Sequence, residues 1–392
     1  MKKQEMPEMH WNARIFSKLA RGLVYFAIGF PVLFILYMLS GHAALEDIYY
    51  YNPTFGKLIF LLALVVLTAL ALFTDVKNRR KASGITLALS CVSIVVSGYF
   101  AASVILPKYI RHGEIAPRNF FSSSARKTGP FRFAAAGDAH IGNSESRTDL
   151  TCRMIEHIRQ DNYDAFFLLG DLVDHGFDYS LWNNAFKEME LLNRTIPVCY
   201  VPGNHDTIFG GEDLYRKYCL PENDRKLWRR IDRGNIHFLV LDVEWGTQTF
   251  TKEQEQWLIR QLEGIPREDW CIVMSHSFYY CSGRRKDGWD WYDNEALIKR
   301  LSPLFEKYGV ELVLSGHMHQ MELLKKGGVI YAIMGSFGGR LDRGREYVSP
   351  ASVWYKARQY GFADVTINGN DAILKVRDPD DNVIYSLNFS NR

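Results

Sequence analysis

The chain has 392 residues and a formal net charge of +3 at pH 7, from 47 basic and 44 acidic side chains. This near-neutral balance gives no indication of nucleic-acid binding, since such surfaces show a clear excess of Lys and Arg. The six cysteines show no CxxC spacing, which excludes a zinc ribbon and a thioredoxin-type redox site. The sequence leaves open whether Cys219 and Cys281 form a disulfide. The length of the chain is compatible with one large domain or two ordinary ones.

The first 107 residues contain three apolar runs without Asp, Glu, Lys or Arg, at 22–45, 58–74 and 82–107. A helix needs roughly 20 apolar residues to cross a bilayer, so the runs predict three transmembrane helices, with buried core helices as the alternative. Lys and Arg cluster before the first run and between the second and third, which predicts a cytoplasmic N-terminus. We therefore expect a multi-pass protein of the cytoplasmic (inner) membrane, with its remaining domain on the outer or periplasmic side.

Residues 108–130 are polar, basic and rich in Ser, which predicts a linker to a soluble domain over 131–392. In that domain, helical spacing and short apolar runs predict alternating helices and strands. The predicted helices cover 148–159, 180–192, 253–262 and 295–308. The predicted strands cover 131–136, 165–169, 198–201, 235–243, 270–274, 310–314, 329–334, 362–367, 372–376 and 383–389.

Polar side chains that bind metals follow five of these predicted strands directly. They are, in chain order, Asp138 and His140, then Asp171 and Asp174, then Asn204, His205 and Asp206, then His276, and finally His317 and His319. Carboxylate, amide and imidazole groups together suit hard or borderline divalent cations. A carboxylate at the tip of a buried strand, such as Asp171, is costly unless a positive charge meets it. The pattern therefore predicts a metal site.

Each motif taken alone has a simpler explanation. Gly, Asn and Asp are common in turns for backbone reasons, and His205 would ordinarily be a loop histidine. Asp174 is expected to cap its loop or to contact substrate. The five motifs in one order are far more specific than any one of them.

The segment after His276 interleaves cations with aromatic residues, including Arg284, Arg285 and Trp289. Such a composition is typical of a segment that binds a phosphate and an attached apolar or ring-bearing group. These three residues are candidate substrate contacts, and a solvated loop is the alternative.

The order and residue types of the five motifs resemble those of the calcineurin-like metallophosphoesterases, over roughly Phe131 to Phe389. With the apolar N-terminal runs, the chain looks like a membrane-anchored, bacterial-type member of that family. The resemblance implies an α/β fold: a four-layer α/β/β/α sandwich, here preceded by an N-terminal region of three transmembrane helices. It also implies a dinuclear metal centre at the carboxyl edge of the two sheets.

The resemblance also assigns a role to each motif residue. One metal would be bound by Asp138, His140 and His319, the other by Asn204, His276 and His317, with Asp171 bridging the two. His205 would be the general acid, and Asp206 would orient or polarise it. Purple acid phosphatases have Gly at the position of His140 and a Tyr ligand at the position of Asp174, so the iron-tyrosinate type is disfavoured.

The implied activity is hydrolysis of a phosphomonoester or phosphodiester by a hydroxide that two divalent ions activate. Manganese, iron, zinc or cobalt would suit the ligands. The predicted spans favour a lipid-linked phosphate in the membrane as substrate. Soluble nucleotides or released phosphoesters are the alternative substrates, and a non-catalytic sensor of a phosphorylated ligand is the alternative function.

Overall fold

The computed structural model describes residues 118–391, except 125–128, 209–210, 223, 225 and 287–288. The three predicted membrane spans, at 22–45, 58–74 and 82–107, lie outside these residues. No helix in the described part of the chain combines the length and the apolar character needed to cross a membrane.

The described residues form strands and helices in alternation. The strands are β1 (Phe131–Ala136), β2 (Ala165–Leu168), β3 (Val198–Tyr200), β4 (Arg229–Arg233), β5 (Ile236–Val240), β6 (Trp270–Met274), β7 (Arg284–Lys286), β8 (Trp289–Trp291), β9 (Leu312–Ser315), β10 (Met321–Lys326), β11 (Val329–Met334), β12 (Ser352–Lys356), β13 (Phe362–Asn368), β14 (Asp371–Arg377) and β15 (Val383–Ser390). The helices are α1 (Thr148–Gln160), α2 (Tyr179–Glu188), α3 (Glu190–Thr195), α4 (Asn204–Thr207), α5 (Glu212–Cys219), α6 (Lys252–Glu263) and α7 (Glu295–Tyr308).

The strands form two large sheets and one small hairpin. The first sheet has the order β15-β14-β13-β1-β2-β3, and the second has the order β12-β10-β11-β9-β6-β5-β4. Strands β1, β2 and β3 are parallel to one another, as are β5, β6, β9 and β11. The carboxyl ends of parallel strands meet at one edge of a sheet, so each sheet gathers the residues that follow these strands.

The two sheets share one apolar core between their facing sides. Rings from both sheets meet there: the ring centroids of Phe167 and Phe238 lie 4.8 Å apart, and those of Phe133 and Phe167 lie 5.0 Å apart. The opposite face of the first sheet packs against residues of α1, α2 and α5, and that of the second sheet against residues of α6 and α7. The structure confirms a mixed α/β fold built on two sheets.

Several elements differ from the sequence-based prediction. The helix predicted over 180–192 is two helices, because Met189 ends α2 as its C-cap and precedes α3 as its N-cap. Strand β4 was not predicted, since its sequence RRIDR is mostly charged and only Ile231 is buried. Strands β7, β8, β10 and β12 and helix α5 were also missed.

Part of the predicted linker packs against the domain. Phe121 is 3% exposed, and its ring lies 5.2 Å from that of Phe167 and 5.4 Å from that of Phe238. Its backbone N–H donates to the carbonyl of Val198. The segment before β1 therefore contributes to the core between the sheets.

The cysteine pair left open by the sequence is not a disulfide. Cys219 and Cys281 are both free and buried, and they belong to separate apolar clusters, one on the outer side of each sheet.

A buried carboxylate joins β1, β13 and β14. Asp364 accepts hydrogen bonds at 2.9 Å from both Nε and Nη2 of Arg132 and one at 2.8 Å from Nε of Arg377. Burial opposes the charge on Asp364, but the two guanidinium groups outweigh it and lower the pKa of this carboxyl group. Charge-assisted, bidentate bonds of this kind are the strong ones.

We expect Asp364→Asn to destabilise the domain by about 3 kcal/mol at pH 7, because two partly buried guanidinium groups lose their counter-charge. A folded-state pKa below the unfolded value of about 3.9 gives stability that is present above that pH and lost as the pH falls through the folded pKa. The variant should therefore lose part of the wild-type acid sensitivity below about pH 4.

Urea unfolding of wild type and variant at pH 7 and at stepwise lower pH measures both effects. Asp371→Asn, at an exposed position of β14, is the matched control and should behave as wild type. Equal stability of Asp364→Asn and wild type at pH 7 would rule out the stabilising role of this carboxylate.

Candidate metal centre

The structure brings the predicted ligands together where the two sheets end. Asp138 and His140 follow β1, Asp171 follows β2, and Asn204 begins α4 after β3. From the second sheet, His276 follows β6, and His317 and His319 follow β9. Asp138, Asp171 and His276 are at most 1% exposed. The convergence that the motifs predict is present in the fold.

The backbone at this edge is strained. Asp138, His140, Asp171 and His317 have φ values of 64°, 46°, 52° and 66°. Such left-handed conformations cost of order 1–3 kcal/mol each in residues other than glycine, and they persist where the surrounding structure imposes them. A Cβ on Gly316 would collide with the carboxylate of Asp138, so this position requires glycine.

The first cluster contains Asp138, His140 and His319. Nε2 of His140 lies 3.1 Å from Nε2 of His319, and Nε2 of His319 lies 3.3 Å from Oδ1 of Asp138. Nε2 of His140 also lies 3.5 Å from Oδ2 of Asp171. The ligand atoms of the three residues lie close enough to one another to bind a single ion.

The second cluster contains Asp171, Asn204, His276 and His317. Nε2 of His276 lies 3.2 Å from Oδ2 of Asp171 and 3.1 Å from Oδ1 of Asn204. Nδ1 of His317 lies 3.0 Å from the same Asn204 oxygen. Oδ2 of Asp171 thus lies near both clusters, the position that a bridging carboxylate needs.

The hydrogen bond made by Nδ1 of an imidazole determines whether its Nε2 acts as a donor or as an acceptor. Nδ1 of His319 donates to the carbonyl of Arg340 at 2.6 Å, and Nδ1 of His276 donates to the carbonyl of Leu169 at 2.7 Å. Nδ1 of His140 lies 3.1 Å from Oδ1 of Asp174. In neutral imidazoles held this way, each Nε2 is a lone-pair acceptor.

Acceptors therefore face acceptors in both clusters. The two Nε2 atoms of His140 and His319 point at one another, and Nε2 of His276 points at oxygens of Asp171 and Asn204. Lone pairs at about 3 Å repel unless a proton or a metal cation lies between them, and metal-binding histidines in general donate their second N–H to a carbonyl or carboxylate. The donor set fits two divalent cations.

The pKa shifts of the site also indicate that it favours positive charge. Burial opposes charge on His276, but Asp171 and Asp138 outweigh it and raise the pKa of this imidazole to about 10. Burial likewise opposes charge on His319, and Asp138 overcomes it, raising the pKa to about 9. Burial and the nearby His276 lower the pKa of His317 to about 3. The buried carboxylates thus attract positive charge into a closely packed set of imidazoles.

His205 lies at the edge of the site, and its side chain is 34% exposed. Nδ1 donates to the carbonyl of Asp174 at 2.7 Å, and its ring centroid is 4.5 Å from that of His140. Its backbone N–H donates to Oδ1 of Asp171 at 2.8 Å. This arrangement leaves Nε2 of His205 as the ring atom that can exchange a proton with a ligand in the site.

Asp206 does not contact the imidazole of His205, which corrects the predicted orienting contact. Its Oδ2 accepts from the backbone N–H of Asp171 at 2.9 Å and of Gly203 at 3.2 Å, and its Oδ1 accepts from Leu172 at 2.9 Å and Val173 at 3.3 Å. The carboxylate therefore fixes the loop that carries Asp171. The group that orients His205 is the carbonyl of Asp174.

The predicted substrate residues lie on the hairpin of β7 and β8. Arg284 lines a small cavity beside the site, whereas Arg285 is exposed and lies 3.6 Å from Asp290. Trp289 begins β8.

Sequence reasoning missed the aromatic wall around His317. The ring centroids of Trp245, Phe278 and Trp291 lie 4.7, 5.8 and 5.8 Å from that of His317. Trp291 belongs to the interleaved segment that the sequence singled out, but Trp245 carries no signal of its own.

Residues 131–321 match the family model described as calcineurin-like phosphoesterase. This part of the chain is therefore similar to calcineurin-like phosphoesterase domains. Purple acid phosphatase 21 of Arabidopsis thaliana is 25% identical over 59% of this chain and 56% of its own length. Human acid phosphatase type 7 is 27% identical over 49% of this chain and 47% of its own. The chain thus spans about half the length of these curated relatives.

Solved structures show the same fold. A purple acid phosphatase from yellow lupin seeds superposes with a TM-score of 0.55 at 20% identity, over 69% of this chain and 55% of that chain. GAP50, titled the anchor in the inner membrane complex of Plasmodium, gives a TM-score of 0.52 at 18% identity, over 68% of this chain and 90% of that chain. The matched family model is named for phosphoesterases, and these curated relatives are named as acid phosphatases.

The predicted localisation is wrong. The expectation was a multi-pass protein of the cytoplasmic membrane with its catalytic domain on the outer side. The finding that overturns it is the set of curated relatives, which are purple acid phosphatases and acid phosphatases. The relatives also give no support to the predicted bacterial-type, membrane-anchored subfamily.

Asp206 holds the loop that carries Asp171. Asp206→Ala removes the acceptor for four backbone N–H groups, so the loop carrying Asp171 should loosen. We expect metal affinity to fall by about 10–100-fold and the domain to lose roughly 2–3 kcal/mol of stability. Equilibrium dialysis with metal analysis and urea unfolding measure these two effects. Asp371→Ala is the exposed control, and wild-type metal affinity in Asp206→Ala would show that the loop does not depend on this carboxylate.

Proposed function

We propose that this chain is a dinuclear metal-dependent phosphoesterase that hydrolyses a phosphomonoester or a phosphodiester. One ion is bound by Asp138, His140 and His319, and the other by Asn204, His276 and His317. Asp171 is shared between the two ions. The observation that carries the proposal is the set of buried acceptor atoms facing one another at about 3 Å in two clusters joined through Oδ2 of Asp171.

When bound, a pair of divalent cations lowers the pKa of a nearby water and neutralises charge that develops on the phosphoryl oxygens. The protein holds the ligands rigidly, since backbone N–H groups and carbonyls fix the carboxylate loop and the imidazole rings. Such preorganisation matters because it avoids reorganisation during the reaction.

His205 is the proposed general acid. Its Nδ1–H is committed to the carbonyl of Asp174, which sets the ring orientation and directs Nε2 toward the site. In the imidazolium form, Nε2–H donates its proton to the departing oxygen of the ester. A positioned acid of this kind contributes typically 10²–10⁴-fold, and most where the leaving group is a poor one.

The acid phosphatase names of the relatives favour phosphomonoesters as the first substrates to test. A soluble nucleotide or released phosphoester is the leading substrate class, and lipid-linked phosphates belong in the same panel. A non-catalytic sensor of a phosphorylated ligand would need the metal ligands but no positioned acid, so the fixed ring of His205 supports an enzyme.

His205→Ala separates metal binding from proton donation. We expect the variant to keep both ions and to lose about 10²–10⁴-fold in kcat on alkyl phosphates, but much less on p-nitrophenyl phosphate, whose leaving group needs little protonation. Metal analysis and steady-state kinetics with manganese or zinc measure the two effects. His157→Ala, in the last turn of α1, is the matched control. Metal loss in His205→Ala equal to the activity loss would assign His205 to ligation instead.

Asp171→Asn tests the shared ligand. Replacing the bridging carboxylate by an amide should remove at least one of the two ions and abolish hydrolysis of every phosphoester tested. Metal content per chain and turnover of p-nitrophenyl phosphate are the measurements. A variant with two bound ions and wild-type turnover would contradict a bridging role.

A further inference from the structure

The aromatic wall of Trp245, Phe278 and Trp291 lies directly against the proposed metal ligand His317. The ring of Trp291 is stacked on the imidazole with an interplanar angle of 14°, and the ring of Trp245 meets it edge to face at 75°. The two indoles also contact each other edge to face, with 5.3 Å between their centroids. The wall is therefore part of the immediate surroundings of the metal centre.

The two tryptophans of the wall are accessible to solvent, unlike its phenylalanine. Phe278 is 5% exposed, whereas Trp245 and Trp291 are only partly buried. An indole is a large apolar group, so contact with another ring removes apolar surface from water and is favourable. Two partly exposed indoles side by side are therefore suited to contact an organic group.

The segment that carries Trp245 is joined to the helix of the proposed general acid. Oγ1 of Thr207 donates to Oε2 of Glu244 at 2.7 Å, and Glu244 directly precedes Trp245. Thr207 is the last residue of α4, the short helix that contains His205. The wall thus adjoins the metal centre at His317 and is attached to the element that carries the acid.

The charge near the wall is compatible with an aromatic ligand. Trp291 comes from the hairpin of β7 and β8, where Arg284 is its pairing partner on the opposite strand. The face of an aromatic ring attracts a cation, so a neighbouring guanidinium does not oppose an uncharged ring.

We propose that the exposed sides of Trp245 and Trp291 bind an aromatic ring in the organic group of the phosphoester, so that the enzyme prefers aromatic phosphoesters to aliphatic ones of similar size. The inference rests on the proposed phosphoesterase function and names its substrate class. Aromatic rings attract one another in offset-stacked and edge-to-face arrangements, because the negative face of one ring meets the positive edge of another. A saturated ring has no such charge distribution.

The test compares benzyl phosphate with cyclohexylmethyl phosphate. Both are esters of primary alcohols with leaving groups of similar basicity and size, so protonation by His205 affects them alike. We expect wild type to favour the benzyl ester by about three- to tenfold in kcat/KM, the usual gain from an aromatic pair. Trp245→Leu and Trp291→Leu should each bring that ratio close to one.

Trp245→Phe keeps an aromatic ring and should retain most of the preference, which tests the wall even if loss of the indole weakens metal binding. Trp257→Leu is the matched control: this partly buried tryptophan of α6 packs on the outer side of the second sheet, and its loss should leave the ratio unchanged.

A wall that only supports His317 gives a different pattern. The two leucine variants at the wall would then lose the same proportion of kcat/KM on both esters. That result, or a wild type that shows no preference or prefers the cyclohexylmethyl ester, would overturn the aromatic subsite while leaving the phosphoesterase function intact.

Failure of the proposed function is recognised separately. If metal-loaded protein hydrolyses no phosphoester, p-nitrophenyl phosphate included, that function is excluded. Calorimetric binding of the same two esters to that protein then decides the assignment of the wall. Tighter binding of benzyl phosphate that is lost in Trp245→Leu supports the subsite, and equal affinities overturn it.

Discussion

The structure depends on one electrostatic constraint: buried acceptor groups face one another where the two sheets end. Imidazole nitrogens of His140, His276 and His319 lie about 3 Å from other lone-pair atoms, while their second nitrogens are committed to carbonyl or carboxylate oxygens. Such an arrangement is unstable unless positive charge joins the groups. The fold therefore stabilises cations at the edge where the two sheets end, and the surrounding backbone holds the ligand groups in place.

The fold holds the metal-binding side chains in fixed positions. Residues from both sheets supply the ligands, and the shared aromatic core holds the sheets at a fixed separation. Left-handed backbone at Asp138, His140, Asp171 and His317 shows that local conformational preference yields to the site. Asp206 contributes through four backbone N–H groups and not through the imidazole next to it. Precise placement thus comes from the loops as much as from the ligands themselves.

Sequence reasoning predicted the convergence of the ligands because parallel strands place their carboxyl ends at one edge. Strand β6 and helix α7 have the bounds that the sequence predicts, since both have strong apolar patterning. The sequence-based prediction failed where tertiary contacts determine the structure. Strand β4 is mostly charged, yet it pairs with β5. Phe121 is buried in the core, although the sequence assigns its segment to a linker. The partner of Asp206 could not be foreseen either, because hydrogen bonds to backbone N–H groups leave no residue pattern.

The two acceptor clusters are expected to bind two divalent ions per chain. Metal analysis of the purified protein, combined with its native mass, measures that number. Removal of both ions by a chelator should abolish phosphoester hydrolysis until metal is restored. A chain that binds a single ion when saturated, or that hydrolyses phosphoesters at full rate after chelation, would rule out a dinuclear catalytic centre.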